Sequence, residues 1–444
     1  MKTQYLVPLA VLPFALAIAL PAHHVLYEDH GTIDSNVLID FFSDSTQDDT
    51  SLLTSGNALD DPSRTTLTNE QYTINFFNTI NVQDNSNSIP QNLDHDLPSC
   101  TDKTIYELLT NSKSTTILAA IINDDKYLID TLNTTNANIT VFVPTDSAFA
   151  KIPEDAPRAS KEFIRNAILY HVLPGVYPAH RIFDARTLPT FLNGSALGAD
   201  LPQRLAVRGG GAKTGLTVNP YSRVNDADIT TSNGLIHTID SILIPPPQSL
   251  TLLNIVPATF STFTLALLQT GLSTALDTSA HHGATIFAPT NKAFLALGLK
   301  INGFLFSNPG RKYLRALMKY HIVLNRTLYS DVFYTVDGDV DSLGEDGFTN
   351  LDLPTLLVDH SLAVDVARRG SEISMRVNGF QSVAFTDALA EDGVVHLLDT
   401  VLIPPRKPSD SSSDASALTI EELKDHLSDW VAEHDDVGSV HGEL

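Results

Sequence analysis

The chain has 444 residues and carries 52 Asp and Glu against 28 Lys and Arg, a formal net charge of −24. That length is enough for about three domains, and the charge argues against a nucleic-acid partner, which needs a basic face, and against simple attraction to anionic lipid. Cys100 is the one cysteine, so no internal disulfide can hold the fold and each domain must rest on its own core.

The N-terminus reads as a secretory signal over residues 1–22. Lys2 precedes an apolar stretch from Leu6 to Leu20, interrupted by Pro8 and Pro13, with Ala19 or Ala22 as a small residue for cleavage. An anchor that is never cleaved is the alternative. No later apolar run reaches spanning length and the polar C-terminus has no lipid-anchor tail, so no membrane span is expected after cleavage. Residues 23–100 hold 13 acidic residues against Arg64 alone. Such a segment cannot bury enough apolar surface to offset its chain entropy and is expected to be mostly disordered. Cys100, at its end, is either an inert thiol or half of an intermolecular disulfide.

From residue 101 onward a pattern is written twice. Ile139-Thr140-Val141-Phe142-Val143-Pro144-Thr145 returns as Ala284-Thr285-Ile286-Phe287-Ala288-Pro289-Thr290, each followed by Ala-Phe (Ala148-Phe149, Ala293-Phe294). A Tyr-His pair follows each copy (Tyr170-His171, Tyr320-His321), and then a Gly-Leu-Ile-His or Gly-Val-Val-His run ending at Ile-Pro-Pro, with His237 and His396. A repeat of this size is a whole domain rather than a solenoid unit. The units are placed at 101–246 and 248–405, joined by the short linker Pro246-Pro247-Gln248, and each is expected to fold alone. Residues 406–444 form an acidic tail.

Each unit opens with helical spacing, over Thr104–Leu109 and Thr116–Leu132 in the first and Phe260–Leu272 in the second. A short strand follows and is stopped by Pro-Thr. The next helix carries the Tyr-His pair, with Ile164, Ala167, Ile168 and His171 on one face, and Leu314, Leu317, Met318 and His321 on its counterpart. Asn308-Pro309 suits the cap and first position of the second of these helices. The remainder is strand and turn, closing with Leu235–Ile244 and Val394–Ile403. Helices early and strands late make an α+β domain rather than a βαβ fold. In the tail, Thr419 and Glu422 make a capping box ahead of a stripe of Ile420, Leu423, Leu427 and Trp430. That helix either docks on the second domain, binds a partner or stays unfolded.

Four sequons, at Asn133, Asn138, Asn193 and Asn325, are glycosylation acceptors if exposed. His171 and His321 lie on an apolar helix face and read as core residues rather than ligands or catalysts. His237 and Asp240, repeated as His396 and Asp399, would suit a metal on a helix. On a strand an offset of three puts them on opposite faces, so a structural role is expected. Gly209–Thr214 departs from a phosphate loop at Ala212 and reads as a hairpin. Asp337, Asp339 and Asp341 start like a calcium loop, but Ser342 and Phe348 stand where glycine and glutamate are needed. No hydrolase, zincin or redox motif is present, and no cofactor is expected.

On these three ordered landmarks the chain resembles the fasciclin-like domain family over about residues 101–405. The resemblance implies two tandem domains, each a β-sandwich wedge with several helices, and a role in cell adhesion or matrix binding. It further implies contacts through an Asp-Ile pair, here Asp228-Ile229, and through the Tyr-His region, Tyr170 and Tyr320. In the second unit the pair is Asp387-Ala388, which puts that contact in doubt. A short polar loop is expected to expose Asp228 and Ile229. The chain is thus expected to be a secreted, non-enzymatic protein, in the extracellular space, the cell wall or a vacuole lumen, with a cell-surface or matrix protein or a glycan as partner. A carbohydrate-active or other hydrolytic enzyme with a site between the domains, or a soluble lumenal protein, are the alternatives.

Overall fold

The computed structural model describes residues 102–135, 137–152, 159–198, 201–209, 215–276, 281–335, 337–343, 347–369, 372–405 and 419–432. The expected signal, the acidic segment 23–100, Cys100, most of the Gly209–Thr214 turn and the end of the tail lie outside these residues.

Unit one runs through α1 (Ile105–Asn111), α2 (Thr116–Asn123), α3 (Lys126–Asn133), β1 (Ile139–Pro144), α4 (Asp146–Phe149), α5 (Lys161–Tyr170), β2 (Val172–Pro174), α6 (Ala179–Asp184), β3 (Thr187–Asn193), β4 (Pro202–Gly209), β5 (Leu216–Val218), β6 (Ser222–Arg223), β7 (Ile229–Thr231) and β8 (Gly234–Ile239). Unit two follows with α7 (Ser249–Asn254), α8 (Pro257–Thr270), β9 (Ala284–Pro289), α9 (Asn291–Ala296), α10 (Leu299–Leu305), α11 (Arg311–Tyr320), β10 (Ile322–Leu324), β11 (Arg326–Leu328), β12 (Val332–Thr335), β13 (Val340–Ser342), β14 (Gly347–Pro354), β15 (Ser361–Arg369), β16 (Glu372–Val377), β17 (Gln381–Ala390) and β18 (Gly393–Leu398). The tail helix is α12 (Ile420–Ala432).

The early helical stretch of unit one breaks in two because Asp125 caps a new helix, its carboxylate accepting the Tyr127 N–H. The helix bearing Tyr320 starts at Arg311 with Gly310 at its cap, not at Asn308-Pro309. The chain approaches itself there, and a Cβ on Gly310 would lie 1.8 Å from the Phe304 carbonyl oxygen.

In both units the motif strands pair in parallel, β1 with β8 and β9 with β18. Every residue of these four strands is buried except Gly234, which is half-buried, as suits strands covered on both faces. Close approach explains the glycine that opens each closing strand. A Cβ on Gly234 would sit 1.9 Å from the Ile139 carbonyl oxygen, and one on Gly393 would sit 2.0 Å from that of Ala284. In unit one the sheets are separate, ordered β2-β1-β8-β7 and β3-β4-β5-β6. In unit two the bulged strand β17 bends from one layer into the other, giving one curled sheet, β10-β9-β18-β17-β16-β15-β14. The fold is α+β with two tandem units.

The tail helix docks on the second unit. The Thr419–Glu422 capping box forms, with both backbone N–H groups held by the partner side chain, and the helix lies against α10 and α11 with Leu423 and Leu427 buried in the core of the second unit. The Asp337–Asp341 stretch ends in β13, an exposed strand paired with β12, so it is part of a hairpin.

The units are seated on one another. Leu197 and Leu201 of the first form one apolar cluster with Tyr329, Val332, Tyr334 and Val394 of the second. Backbone and side-chain bonds cross the seam, among them Gly283 N–H to Ala196 O (2.7 Å), Gln203 Nε2 to Glu391 O (2.6 Å) and Arg208 Nη2 to Thr386 O (2.9 Å). The two units thus share a core across the seam in addition to the short linker.

Candidate functional site

The Tyr-His motif sits where the helix ends and the sheet begins. His171 closes α5: its Nδ1 lies 2.7 Å from the Ala167 carbonyl, and the Leu243 N–H donates to its Nε2 at 2.9 Å. His321 repeats this with Leu317 O (2.8 Å) and the Leu402 N–H (2.9 Å). A carbonyl only accepts and an amide N–H only donates, so both rings are neutral with the proton on Nδ1. Burial depresses both imidazoles, to about 4 in each case. Each ring thereby ties its helix to the segment that follows the last strand.

His237 and His396 do the converse. Nε2 of His237 donates to Tyr177 O (2.9 Å), and Nδ1 accepts the Asp228 N–H (3.2 Å). In unit two the partners are Leu328 O (2.7 Å) and the Asp387 N–H (3.3 Å). These rings carry the proton on Nε2, lie against Phe142 and Phe287, and are lowered in pKa by burial. Asp240, just past the end of β8, meets Lys151 at 3.5 Å, and Asp399 is exposed.

The expected adhesion residues divide. Asp228 is exposed, in a left-handed backbone conformation (φ +60°), and its carboxylate accepts the Ala179 N–H at 2.8 Å. Ile229 is buried. It begins β7 opposite Ile236 and packs in the core with Ile105, Val141 and Leu132, because successive strand residues alternate faces. The expected exposed Asp-Ile pair is therefore an exposed carboxylate beside a core side chain. Tyr170 and Tyr320 have no exposed surface. Their hydroxyls meet Asn219 (3.5 Å) and Asn378 (3.0 Å), and that of Tyr170 also donates to Arg204 O (2.9 Å). Asp387 is buried too, with both carboxylate oxygens held by Ser330. Ile229, Tyr170, Tyr320 and Asp387 thus cannot present an adhesive surface. Ile229→Ala is expected to cost about 2–5 kcal/mol of stability, the range for truncating a buried isoleucine, in a urea titration. An unchanged midpoint would mean that the side chain is not in the core.

Residues outside the expected set complete these clasps. Asn233 accepts the Ile105 N–H and donates to Leu132 O and Thr134 O. Its counterpart Asp392 holds Ser249 through both N–H and hydroxyl, and burial raises its pKa. Asn219 and Asn378 both turn the chain with positive φ. The signal that could have found them is their position in the repeat: Asn or Asp before the closing Gly, and Val-Asn at a strand end.

The seam holds a concavity of about 60 Å³ that Tyr170, Arg208, Tyr221, Phe385 and Asp387 help to line. Arg208 stacks over Phe385 at 4.5 Å. Among the described residues no group of three or more His, Cys, Asp or Glu is placed to hold a metal ion, and no helix is long and apolar enough to cross a membrane.

Two tandem α+β units with parallel motif strands and paired imidazole clasps define a domain-repeat class, and the chain belongs to the fasciclin-domain family. The family's model, Fasciclin domain, matches residues 113–245 and 258–404. Over 344 residues the chain is 33% identical to aurofusarin biosynthesis cluster protein S of Gibberella zeae, covering 72% of this chain and 82% of that protein. It is 27% identical to human periostin over 278 residues and 25% identical to the Sus scrofa transforming growth factor-beta-induced protein ig-h3 over 271. Each match covers 60% of this chain, but only 28% and 35% of those longer proteins. A solved FAS1 domain pair from the insect cell adhesion molecule fasciclin I aligns at 19% identity with a TM-score of 0.33, covering 65% of this chain and 96% of that one.

Proposed function

We propose that the protein is a secreted, non-enzymatic binding protein that attaches to a cell-surface, matrix or cell-wall component. Fasciclin domains occur in cell-adhesion and extracellular-matrix proteins such as ig-h3 and periostin. All four sequon asparagines, Asn133, Asn138, Asn193 and Asn325, are exposed, as glycan acceptors must be. The observation that carries the reading is the division within the motifs: their imidazoles and tyrosines are occupied with the fold, and Asp228 is the member that faces solvent. Because Asp387 is buried, the two units do not offer the same contact twice, and Asp228 acts alone.

Asp228→Ala is expected to weaken attachment of the full-length protein to its target surface severalfold, while removing one exposed cap bond at a cost of about 0.5–1 kcal/mol. Equal attachment by wild type and variant would remove Asp228 from the site. The likeness to a biosynthesis cluster protein, which extends over both units, favours a second reading: an accessory protein of a biosynthetic system. Deleting the gene would then change the metabolites produced and leave attachment unaltered.

A further inference from the structure

The curled sheet of unit two ends on an open edge. β14 is its last strand and pairs with β15 through eight successive partners, from Gly347↔Arg368 to Pro354↔Ser361. Every second residue of an antiparallel edge strand turns its N–H and C=O away from the neighbour. Outside the β14–β15 ladder, the strand's backbone has one hydrogen bond among the described residues, from Arg326 Nη1 to the Asp352 carbonyl oxygen at 3.5 Å. Just past the strand, the Leu356 N–H donates to Ile322 O of β10 at 2.8 Å. The far end of the edge is therefore closed, and the stretch Gly347–Leu351 is open.

The corresponding strand of unit one is protected. Thr187 of β3 gives its N–H to Asp331, Leu192 gives its N–H to the Thr190 hydroxyl, Pro189 has no N–H, and the register with β4 breaks between Pro189 and Asn193. Proline, broken register and lysine are the usual defences of an exposed edge. Gly347–Leu351 has none of them. Phe348 is 66% exposed there and shares the solvent face with Asn350, while Thr349 and Leu351 stand opposite the buried Val366 and Val364. An edge of this kind takes up another strand, with main-chain bonds for affinity and alternate side chains for register.

We infer that residues 74–78 of the same chain pair with this edge. Within the acidic segment 23–100, Gln71–Gln83 has no charge, glycine or proline. Tyr72, Ile74, Phe76, Ile80 and Val82 alternate with Thr73, Asn75, Phe77, Thr79 and Asn81, the apolar register being broken at Asn78. That is the period of a strand covered on one face. Set antiparallel with Phe77 opposite Phe348, the segment brings Ile74 and Phe76 opposite Leu351 and Thr349 on the core side. Asn75 then meets Asn350 on the solvent side. The two aromatic rings that interrupt polar faces thereby form a favourable cross-strand pair. Gly347 lies opposite Arg368, which bonds the Asp184 carbonyl of unit one, so the open end is at the seam. Residues 79–101 lead from it to unit one, and a chain of that length reaches up to about 80 Å, roughly twice the width of a domain of this size. A second copy is the weaker occupant: each chain carries a charge of −24, and a tethered strand has the higher effective concentration. Pairing covers two hazards at once, an uncharged β-prone run and a bare edge.

The test is cross-linking in the full chain carrying Cys100→Ser. Asn75→Cys with Asn350→Cys, treated with a bis-maleimide that spans only neighbouring strands, should give a link within one chain, identified by mass spectrometry of the digest. Asn350 is exposed, so its replacement leaves the core of unit two intact. Phe77→Cys with Phe348→Cys should link as well, and it decides the matter if Asn350→Cys disturbs β14. Adding Ile74→Asp and Phe76→Asp should abolish the link, because two carboxylates would then face the core. Thr79→Cys in place of Asn75→Cys, which would stand opposite Asn350 if the strand ran parallel, should not link. Absence of a link in both pairs, a link that survives the aspartates or forms equally at Thr79→Cys, or a link between two chains would overturn the inference.

Discussion

Replacing Asp331 by alanine is expected to destabilise the joined units by about 2–4 kcal/mol and to loosen the seam between them. Asp331 Oδ2 accepts the backbone N–H groups of Arg186 (3.1 Å) and Thr187 (2.7 Å), and Oδ1 accepts the Thr187 hydroxyl. The same hydroxyl accepts from Arg204 Nε at 2.7 Å, and Arg204 reaches across to the Tyr334 hydroxyl at 2.9 Å. Arg204 is buried, at 8% exposure, between the rings of Tyr329 and Tyr334. Burial works against its charge, and Tyr334 and Asp331 offset that. Without the carboxylate, a buried cation loses its nearest acid and two amide donors lose their acceptor, each a costly omission. Calorimetry of the full chain should show one transition in the wild type and a lower, broader or divided one in Asp331→Ala. By the same reasoning segments 101–246 and 248–405, made separately, should each be less stable than in the pair, because each exposes half of the Leu197–Leu201–Tyr329–Tyr334 cluster. Separated segments as stable as the pair would show the seam to be incidental.

Acid should weaken the protein sharply. The folded imidazoles of His171 and His321 lie at about 4, against about 6.5 in an unfolded chain. A folded value below the unfolded one means that stability is full above about pH 6.5 and is lost as pH falls toward 4. Each ring accounts for roughly 3 kcal/mol across that window. The physical reason is that a proton on Nε2 would face the Leu243 or Leu402 N–H, which can only donate. His237 and His396 shift in the same direction. Asp392, raised by burial, works oppositely, as one carboxylate against four imidazoles. Urea midpoints measured from pH 7.5 to 4.5 should therefore fall steadily. His171→Ala should lose about 1–3 kcal/mol at neutral pH, the cost of leaving buried partners unpaired, and should show a shallower pH dependence. A flat profile in the wild type would contradict the burial of these rings.

The repeat made much of this fold readable. Tyr170-His171 and Tyr320-His321 close the helices that the apolar spacing marks, the histidines standing just past the last helical residue, and His237 and His396 lie on buried strands with Asp240 and Asp399 just beyond the strand ends. The tail helix forms behind its Thr419 cap, and Ile420, Leu423 and Leu427 of its apolar stripe pack on the second unit; the Trp430 side chain lies outside the described residues. What was not readable depends on contacts between distant segments. Ile229 follows an exposed aspartate in a polar stretch, and only its pairing with Ile236 turns it inward. The burial of Asp387 depends on Ser330, 57 residues earlier. The seam is not legible in the sequence because Leu197, Leu201 and Asp331 lie in irregular segments with no periodic signal, and because Arg204, on β4, is a buried arginine, rare enough to read as surface.

The central claim is that the four motif histidines fasten the fold and do not act on a ligand. Nitrogen-15 NMR of the imidazoles in the intact protein tests it most directly. His171 and His321 should appear as neutral rings protonated on Nδ1, and His237 and His396 as neutral rings protonated on Nε2. His171 and His321 should not titrate between pH 7.5 and about 5, and His237 and His396 should titrate below the usual imidazole range because burial disfavours their charged forms. A motif histidine that titrates near 6.5, or that shows the opposite tautomer, would contradict the account.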